Sequence, residues 1–259
     1  MNGVVLEPNE KIRKSAELLE EAVGRFLRAR STFRDFGRFE SSIESLNLMY
    51  LLIRNVEGCV ELARKDLVLL PAAMTLARSA YEIGFKIKWM LDPVDPFERE
   101  ARWLAHMKSE VEFYDKLIAK YSKLDEEASD LWNFRETIES FRLAVSDKLP
   151  GSVSRVSKTP DLFSMMKSLD DERKYLGYIV LSQFAHGSHN ATGLYRKNLG
   201  TDKSLGEFVE ASTWSIPLSG CWYALHSSGS KLLQRLGGDP QTFIDASFGK
   251  LVQESIDAI

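Results

Sequence analysis

The sequence predicts an all-α protein, and two observations lead to this prediction. Apolar residues recur at intervals of three and four over most of the 259 residues, as expected where one face of each helix packs on a core. No segment shows the convincing alternation of apolar and polar residues that is typical of a β-strand. The 16 glycines and 8 prolines are few enough that long helical patterns run uninterrupted.

The sequence pattern of the N-terminal part predicts one amphipathic helix followed by a basic connector. An apolar stripe from Ile12 to Leu27 predicts a helix over residues 10–30. We therefore divide the chain into an N-terminal helix with its connector, residues 1–38, and a single helical-bundle domain, residues 39–259.

Turn signals separate the remaining predicted helices. Pro71 stands where a helix begins, and the Asp-Pro pairs at residues 92–93 and 95–96 form a turn. A Ser-rich linker lies near residues 149–160, and a loop is expected near residues 194–203. The predicted helices cover residues 39–65, 72–91, 97–122, 124–148, 161–169, 171–189, 205–236 and 240–256.

The charge balance argues against binding of nucleic acid through bulk positive charge. The chain has 34 Lys and Arg against 37 Asp and Glu, a formal charge of −3, whereas such proteins usually carry a strongly basic domain. Residues 25–38 differ, with five arginines, three phenylalanines and one acid. Arg28 and Arg34 are candidates to contact an RNA backbone there while the rings stack on bases. The alternative is a solvated helix face and a connecting loop.

The sequence predicts a cytoplasmic protein without membrane segments. Cys59 and Cys221 lie in predicted helices and are expected to be buried free thiols. The N-terminus reaches Glu7 without a basic segment, unlike a signal peptide. Residues 175–195 and 211–230 lack charge over enough length to cross a bilayer, but their many Ser, Thr and His side chains indicate soluble helices.

Sequence motifs for metals and cofactors are absent. The chain has no Gly-rich phosphate loop, GxSxG, HExxH, EF-hand or zinc spacing. The acidic clusters at residues 125–127 and 170–172 stand at predicted helix starts, where they cap the first turn. We therefore expect no cofactor and no metal.

Two segments place polar residues among apolar ones. Arg78 and Glu82 are one turn apart on one helix face. At about 100° per residue, Tyr178, Ser182 and His186 share a narrow arc with Tyr175 and His189. Buried hydroxyls and imidazoles need partners, and the Arg78–Glu82 pair is the available charged one. The alternatives are an ordinary ion pair on one helix and satisfied core or interface histidines on the other.

These residues resemble a family motif. Leu76-Ala-Arg-Ser-x-x-Glu82, followed about a hundred residues later by Tyr178-x-x-Leu-Ser182-x-x-x-His186-x-Ser188, is similar to a bacterial all-helical family grouped with HEPN-like proteins (higher eukaryotes and prokaryotes nucleotide-binding). The resemblance covers residues 46–238. It implies an antiparallel helical bundle, here with extra helices at both ends, often homodimeric and found in ribonuclease toxins and in phage-defence or stress systems, where an operon partner protein is expected.

If this site is catalytic, the residue types indicate the role of each side chain in metal-independent RNA cleavage. His186 would act as general base and acid, and Arg78 would stabilise charge on the phosphate. Ser182 and Tyr178 would position that phosphate, with Glu82 orienting Arg78 or His186. His189, Arg28 and Arg34 are further candidates for substrate binding. The sequence departs from the HEPN nuclease pattern, in which Arg precedes His by four to six residues on one helix, because Ser182 occupies the −4 position and Arg78 comes from another helix.

Two other interpretations remain open. In one, the protein is a non-enzymatic binding or scaffold module, a dimeric partner or sensor, in which Arg78, Glu82, Ser182 and His186 form a buried network that fixes helix register. In the other, Glu82, His186 and His189 bind a metal ion, although no second carboxylate follows at helical spacing.

Overall fold

The computed structural model describes residues 6–33, 39–153, 156–196 and 205–259. Within these ranges the secondary structure is helical and contains no β-strand, which confirms the predicted all-α class. The α-helices of the described ranges are α1 (Glu10–Ser31), α2 (Glu40–Lys65), α3 (Leu70–Leu91), α4 (Pro96–Lys123), α5 (Ser129–Ser146), α6 (Leu162–Ser168), α7 (Tyr175–Ala185), α8 (His189–Thr192), α9 (Ser215–Arg235) and α10 (Ala246–Asp257).

Helix α3 lies at the centre of the molecule because its sequence is apolar on most sides. It packs against α2, α4, α6, α7 and α9, and most of its residues are buried. Gly84 permits the close crossing of α9, since a Cβ atom there would lie 3.2 Å from the Cβ atom of Ala224. This central position gives the polar side chains of α3 neighbours on several other helices.

Helix α1 belongs to the same core as the rest of the chain. Ile12, Leu19 and Phe26 are fully buried in the cluster that α2, α3, α9 and α10 also line. The rings of Phe26 and Phe243 meet edge to face at 5.4 Å. The helix assigned to the N-terminal unit of residues 1–38 therefore shares its core with the domain predicted from residue 39 onward.

Helices α4 and α5 pair antiparallel. Nε of Arg135 lies 3.0 Å from a carboxylate oxygen of Asp115, and the ring of Phe141 lies 6.0 Å from that of Trp103. No residue of α5 is buried, in agreement with its sequence being the most polar of the predicted helices. The helix begins five residues after the predicted start at residue 124, because Asp125 adopts a positive φ of 54° that ends the preceding turn.

The helix predicted over residues 171–189 is wrong at its C-terminal end. A 3₁₀ turn precedes α7, which ends at Ala185. Gly187 then takes a φ of 58°, and the Ser188 side chain accepts a hydrogen bond from the Ala191 N–H as the cap of α8. A left-handed glycine and a new capping serine thus divide the predicted helix in two, which moves His189 to another element.

Two further sequence expectations concern burial and membranes. Cys59 and Cys221 are both buried and free, as predicted. Among the helices of the described ranges, none combines the length and apolar character that a membrane span requires.

Candidate functional site

Arg78 is the centre of a polar cluster between α3 and α7. Its Nε atom donates a hydrogen bond to Oγ of Ser182 at 3.1 Å, and its Nη2 atom donates one to Oη of Tyr178 at 2.8 Å. The guanidinium carbon also lies 5.2 Å from the centre of the Tyr178 ring. The structure thus brings together three residues that the sequence assigned to one site.

The antiparallel packing of α3 and α7 explains this pairing. Arg78 contacts Ser182 near the end of α7. Three residues further along α3, Tyr81 contacts the residue before α7, because its Oη donates a hydrogen bond to the carbonyl oxygen of Lys174 at 2.9 Å. Gly177 lies at this crossing, where a Cβ atom would stand 3.5 Å from Oη of Tyr81. The register of the two helices is therefore fixed by side chains on both.

Glu82 connects Arg78 to Lys86 along one face of α3. Its carboxylate oxygens lie 3.6 Å from Nη2 of Arg78 and 3.6 Å from Nζ of Lys86, as the spacing of four residues favours. The three side chains are 24%, 31% and 33% exposed in chain order. Arg78 is therefore accessible to a ligand while a neighbouring carboxylate balances part of its charge.

His186 directly follows the last residue of α7 and is exposed. Its backbone N–H donates a hydrogen bond to the carbonyl oxygen of Ser182 at 3.2 Å, so it stands one turn from the contact between Ser182 and Arg78. Within the described part of the chain its imidazole makes no hydrogen bond or ion pair. His186 is thus a neighbour of the cluster and is not bonded to it.

His189 faces a different partner from the one the sequence assigned to it. It is the first residue of α8, and its two ring nitrogens lie 2.7 and 2.8 Å from Nη2 of Arg196. Because Gly187 and Ser188 redirect the chain, His189 no longer continues the stripe of Tyr178 and Ser182.

The two arginines proposed to bind substrate are not joined to the cluster. Arg28 is exposed on α1, a helix that packs against α2, α9 and α10. Arg34 lies outside the described residues. The basic segment of residues 25–38 therefore has no structural connection to Arg78 in the part of the chain that is described.

The sequence did not indicate a wide cleft that opens beside Glu82. It has a volume of about 750 Å³ and lies between α3, α4 and the segment that leads into α6. His106 on α4 lines it, 3.8 Å from the carboxylate of Glu44. Burial lowers the pKa of His106, although the Glu44 charge opposes this shift. In the sequence, His106 is a single histidine within an amphipathic helix. Its neighbours Glu44 and Lys86 lie on two other helices, α2 and α3.

The same cleft carries more negative than positive charge. Its lining includes four carboxylates against two lysines, namely Glu82, Glu110, Glu112, Asp161, Lys86 and Lys158. An anionic substrate is therefore better accommodated on the Arg78 and Ser182 side of Glu82 than in this cleft.

A second polar cluster connects the beginning of α7 to α3 and α9. Nζ of Lys88 donates hydrogen bonds to Asp171 and, at 3.0 Å, to Oη of Tyr223, which donates to the same carboxylate at 2.8 Å. Burial and the Asp171 carboxylate raise the pKa of Tyr223. Burial also acts to raise the pKa of Asp171, but the hydrogen bonds from Lys88 and Tyr223 and the charges of Lys88 and Lys174 together outweigh it and lower that pKa. This closed network holds the segment before α7 in place.

The described ranges contain no group of three or more His, Cys, Asp or Glu side chains arranged to hold a metal ion. No protein-family model, curated protein or solved structure matches this chain. The residues of the site are therefore the basis on which its chemistry is judged.

Proposed function

We propose that the cluster between α3 and α7 binds the backbone of RNA, and that the protein is a HEPN-like, RNA-targeting effector that acts as a metal-independent endoribonuclease. One observation supports this most: Arg78 is held by two hydroxyls in an accessible position, with the exposed imidazole of His186 one turn beyond Ser182. Arginine suits recognition of phosphate, and histidine suits proton transfer near neutral pH. The family resemblance of the motif agrees with this assignment.

In the proposed reaction, His186 removes the proton from a ribose 2′-hydroxyl, whose oxygen attacks the adjacent phosphorus. The bond from phosphorus to the 5′-oxygen breaks, which leaves a 2′,3′-cyclic phosphate on one product. The 5′-oxygen departs with a proton, supplied by the second copy's His186 in the homodimer that the resemblance implies. Arg78 stabilises charge on the non-bridging oxygens, and its hydrogen bonds to Ser182 and Tyr178 keep it oriented for that task.

The test is cleavage of a labelled RNA by the purified protein in the presence of EDTA, with analysis of the product ends. We expect cyclic phosphate ends and a loss of at least about 100-fold in rate for His186→Ala, the typical contribution of a general base. Gln183→Ala, three residues earlier on α7, is the matched control and should cleave at the wild-type rate. Equal rates for His186→Ala and the wild type would refute the assignment.

A second candidate function is a non-catalytic helical binding or scaffold module, acting as a dimeric partner or sensor. The observation that favours it is that Arg78 already has protein partners on both α3 and α7. In that case the cluster fixes the register of α3 against α7, and Arg78 binds protein groups and no ligand. His186 takes no part in this network, contrary to the version expected from sequence.

The two functions differ in what the same variants do. For the binding module, the wild type leaves RNA intact with and without EDTA, and Arg78→Ala lowers the melting temperature while His186→Ala does not. For the ribonuclease, both substitutions abolish cleavage, and His186→Ala leaves the melting temperature unchanged because its exposed side chain is unbonded. Cleavage therefore separates the two classes, and the unchanged melting temperature of His186→Ala shows that a loss of cleavage is not caused by unfolding.

A further inference from the structure

A second cleft lies beside a face of α7 that differs from the face that contacts Arg78. It has a volume of about 480 Å³, within the range of small-molecule sites, and is bounded by α3, α7, α9 and α10. Gly177 and Leu181 of α7 face it, whereas Tyr178 and Ser182 of the same helix contact Arg78. The proposed ribonuclease chemistry makes no use of this space.

Aromatic side chains form much of the wall of this cleft. Trp222 stacks on His226 with ring centres 4.9 Å apart and an angle of 9° between the planes. Tyr81 and Tyr223 lie beside them, with ring centres 5.5 Å apart. Small residues, Gly177, Ser219 and Gly220, leave the space between these rings open. A flat, apolar group fits such walls, because aromatic rings pack well in offset or edge-on contact.

Among the described residues of the lining, Lys174 alone carries a formal charge when His226 is neutral. Its ammonium group lies 4.8 Å from the centre of the Tyr223 ring. Its charge helps to lower the pKa of Asp171, but that carboxylate is bonded to Lys88, and Lys174 forms no ion pair of its own within the described part of the chain. The Lys174 side chain is exposed at the mouth of the cleft. A ligand with a single negative charge therefore matches the cleft better than a neutral or multiply charged one.

His226 adds an uncharged hydrogen-bonding group. It is half-buried, burial lowers its pKa with no charged neighbour contributing, and its imidazole nitrogens have no hydrogen-bond partner among the described residues. Half-buried polar atoms of this kind are normally satisfied by protein, water or a ligand. A ligand in the cleft can provide that partner.

From this geometry we propose that the cleft formed by Trp222, His226, Tyr81, Tyr223 and Lys174 is a binding site for a small aromatic carboxylate. The ring packs among the aromatic side chains, and the carboxylate faces the Lys174 ammonium. This site is independent of the proposed ribonuclease, so a failure of the RNA assay leaves it standing and the reverse also holds.

The test uses 2-naphthoate as the probe, measured by isothermal titration calorimetry on the full chain. We expect saturable binding of one naphthoate per protein. Two matched compounds separate the contributions: 2-naphthalenemethanol keeps the rings without the charge, and cyclohexanecarboxylate keeps the charge without the aromatic ring. Each should bind at least tenfold more weakly than naphthoate.

Variants locate the binding in this cleft. Ser219→Phe fills the space beside Gly220 and should abolish binding, and Lys174→Gln should weaken it at least fivefold. Lys167→Gln, which removes an exposed lysine of α6 that does not line the cleft, is the control and should bind as the wild type does. Lys174 is exposed, so its variant remains informative if Ser219→Phe fails to fold.

Three results would overturn the proposal. They are the absence of saturable naphthoate binding at millimolar concentration, equal binding of the neutral alcohol, or undiminished binding in Lys174→Gln or in a folded Ser219→Phe protein.

Discussion

Arg78 makes three side-chain contacts, and their geometry ranks their contributions to stability. Hydrogen bonds from a charged donor contribute about 1.5–3 kcal/mol when buried, but the Arg78 side chain is 24% exposed, so each bond should contribute less, about 1 kcal/mol. The Glu82 contact is longer, at 3.6 Å, and both groups reach solvent. Partly exposed ion pairs of this kind contribute about 0–1 kcal/mol. The bonds across the helix interface should therefore outweigh the pair within α3.

Ser182→Ala tests this ranking. We expect it to lower the free energy of unfolding by about 1 kcal/mol, because the Nε donor of Arg78 loses its acceptor. Glu82→Gln should change stability by no more than about 0.5 kcal/mol. Urea denaturation of both variants measures the two values, and a larger loss for Glu82→Gln would show that the ion pair dominates.

Sequence spacing placed Tyr178 and Ser182 on one helix face, because residues four apart lie one above the other, and their pairing with Arg78 was expected because buried hydroxyls need a polar partner. It did not predict the separation of His186 from the cluster, since that depends on where α7 ends. It also missed His106, whose partner Glu44 lies on a different helix. Contacts within one helix follow from spacing, and contacts between helices depend on crossings that spacing does not define.

Glycines in two helices show how packing determines the effect of one methyl group. A Cβ atom at Gly229 on α9 would lie 2.8 Å from the Phe243 ring and 3.2 Å from the Phe26 ring, both fully buried. At Gly24 on α1 a Cβ atom would meet, among the described residues, Nη1 of Arg28, 3.2 Å away at the end of a flexible, exposed side chain. The same substitution therefore meets fixed rings in one place and a movable group in the other.

Alanine substitution at these two glycines should have opposite effects on melting temperature. Both gain up to about 1 kcal/mol of helix propensity, but Gly229→Ala also crowds the core, at a typical cost of about 1–3 kcal/mol. We expect Gly24→Ala to raise the melting temperature and Gly229→Ala to lower it. Calorimetry of the two variants checks this, and stabilisation by Gly229→Ala would mean that the core around Phe243 yields easily.

Helix α5 should be the least protected of the long helices against hydrogen exchange. None of its residues is buried, whereas α3 is buried along most of its length. Local opening is easiest where few apolar contacts are lost. Mass spectrometry after deuteration should show exchange of the amides of Ser129–Ser146 well before those of Leu70–Leu91, and equal protection would indicate that α5 is covered in solution.

Helix ends were predicted well for α1 and α3 and poorly elsewhere. Helices α9 and α10 begin ten and six residues after the predicted residues 205 and 240, and the cap of α10, Asp245, was not recognised. The bounds of α1 and α3 agree with the sequence within about two residues, because Asn9 caps α1 and Pro71 falls in the first turn of α3. The start of α5 and the end of α7 follow Asp125 and Gly187, both at positive φ. Apolar periodicity continues across such residues and does not reveal the break.

The whole molecule is organised around α3, and this arrangement places two histidines of other helices in partly buried positions. His106 of α4 and His226 of α9 lie in different clefts. Burial is the main cause of the lowered pKa in each case. For His106, Glu44 raises the pKa and Lys86 lowers it further, whereas no charged neighbour affects His226. Both imidazoles are therefore held neutral in the folded protein below the pH at which an unfolded chain would protonate them.

Because the two histidine pKa values are lower in the folded than in the unfolded protein, we expect a loss of stability as the pH falls from 7 to 5. Below the ordinary histidine pKa of 6.5, the unfolded state binds more protons than the folded state, so the free energy of unfolding decreases with decreasing pH. Asp245, whose pKa is lowered to about 2 from an ordinary 3.8, adds a loss of stability at lower pH.

Urea denaturation at each pH measures the trend, and His226→Phe should make the slope of stability against pH between pH 7 and 5 shallower. The interval from pH 7.5 to 8.5 is the control, where both imidazoles are neutral in either state. A stability that rises as the pH falls from 7 to 5 would mean that protonated imidazoles gain a partner on folding, contrary to the burial of His106 and His226.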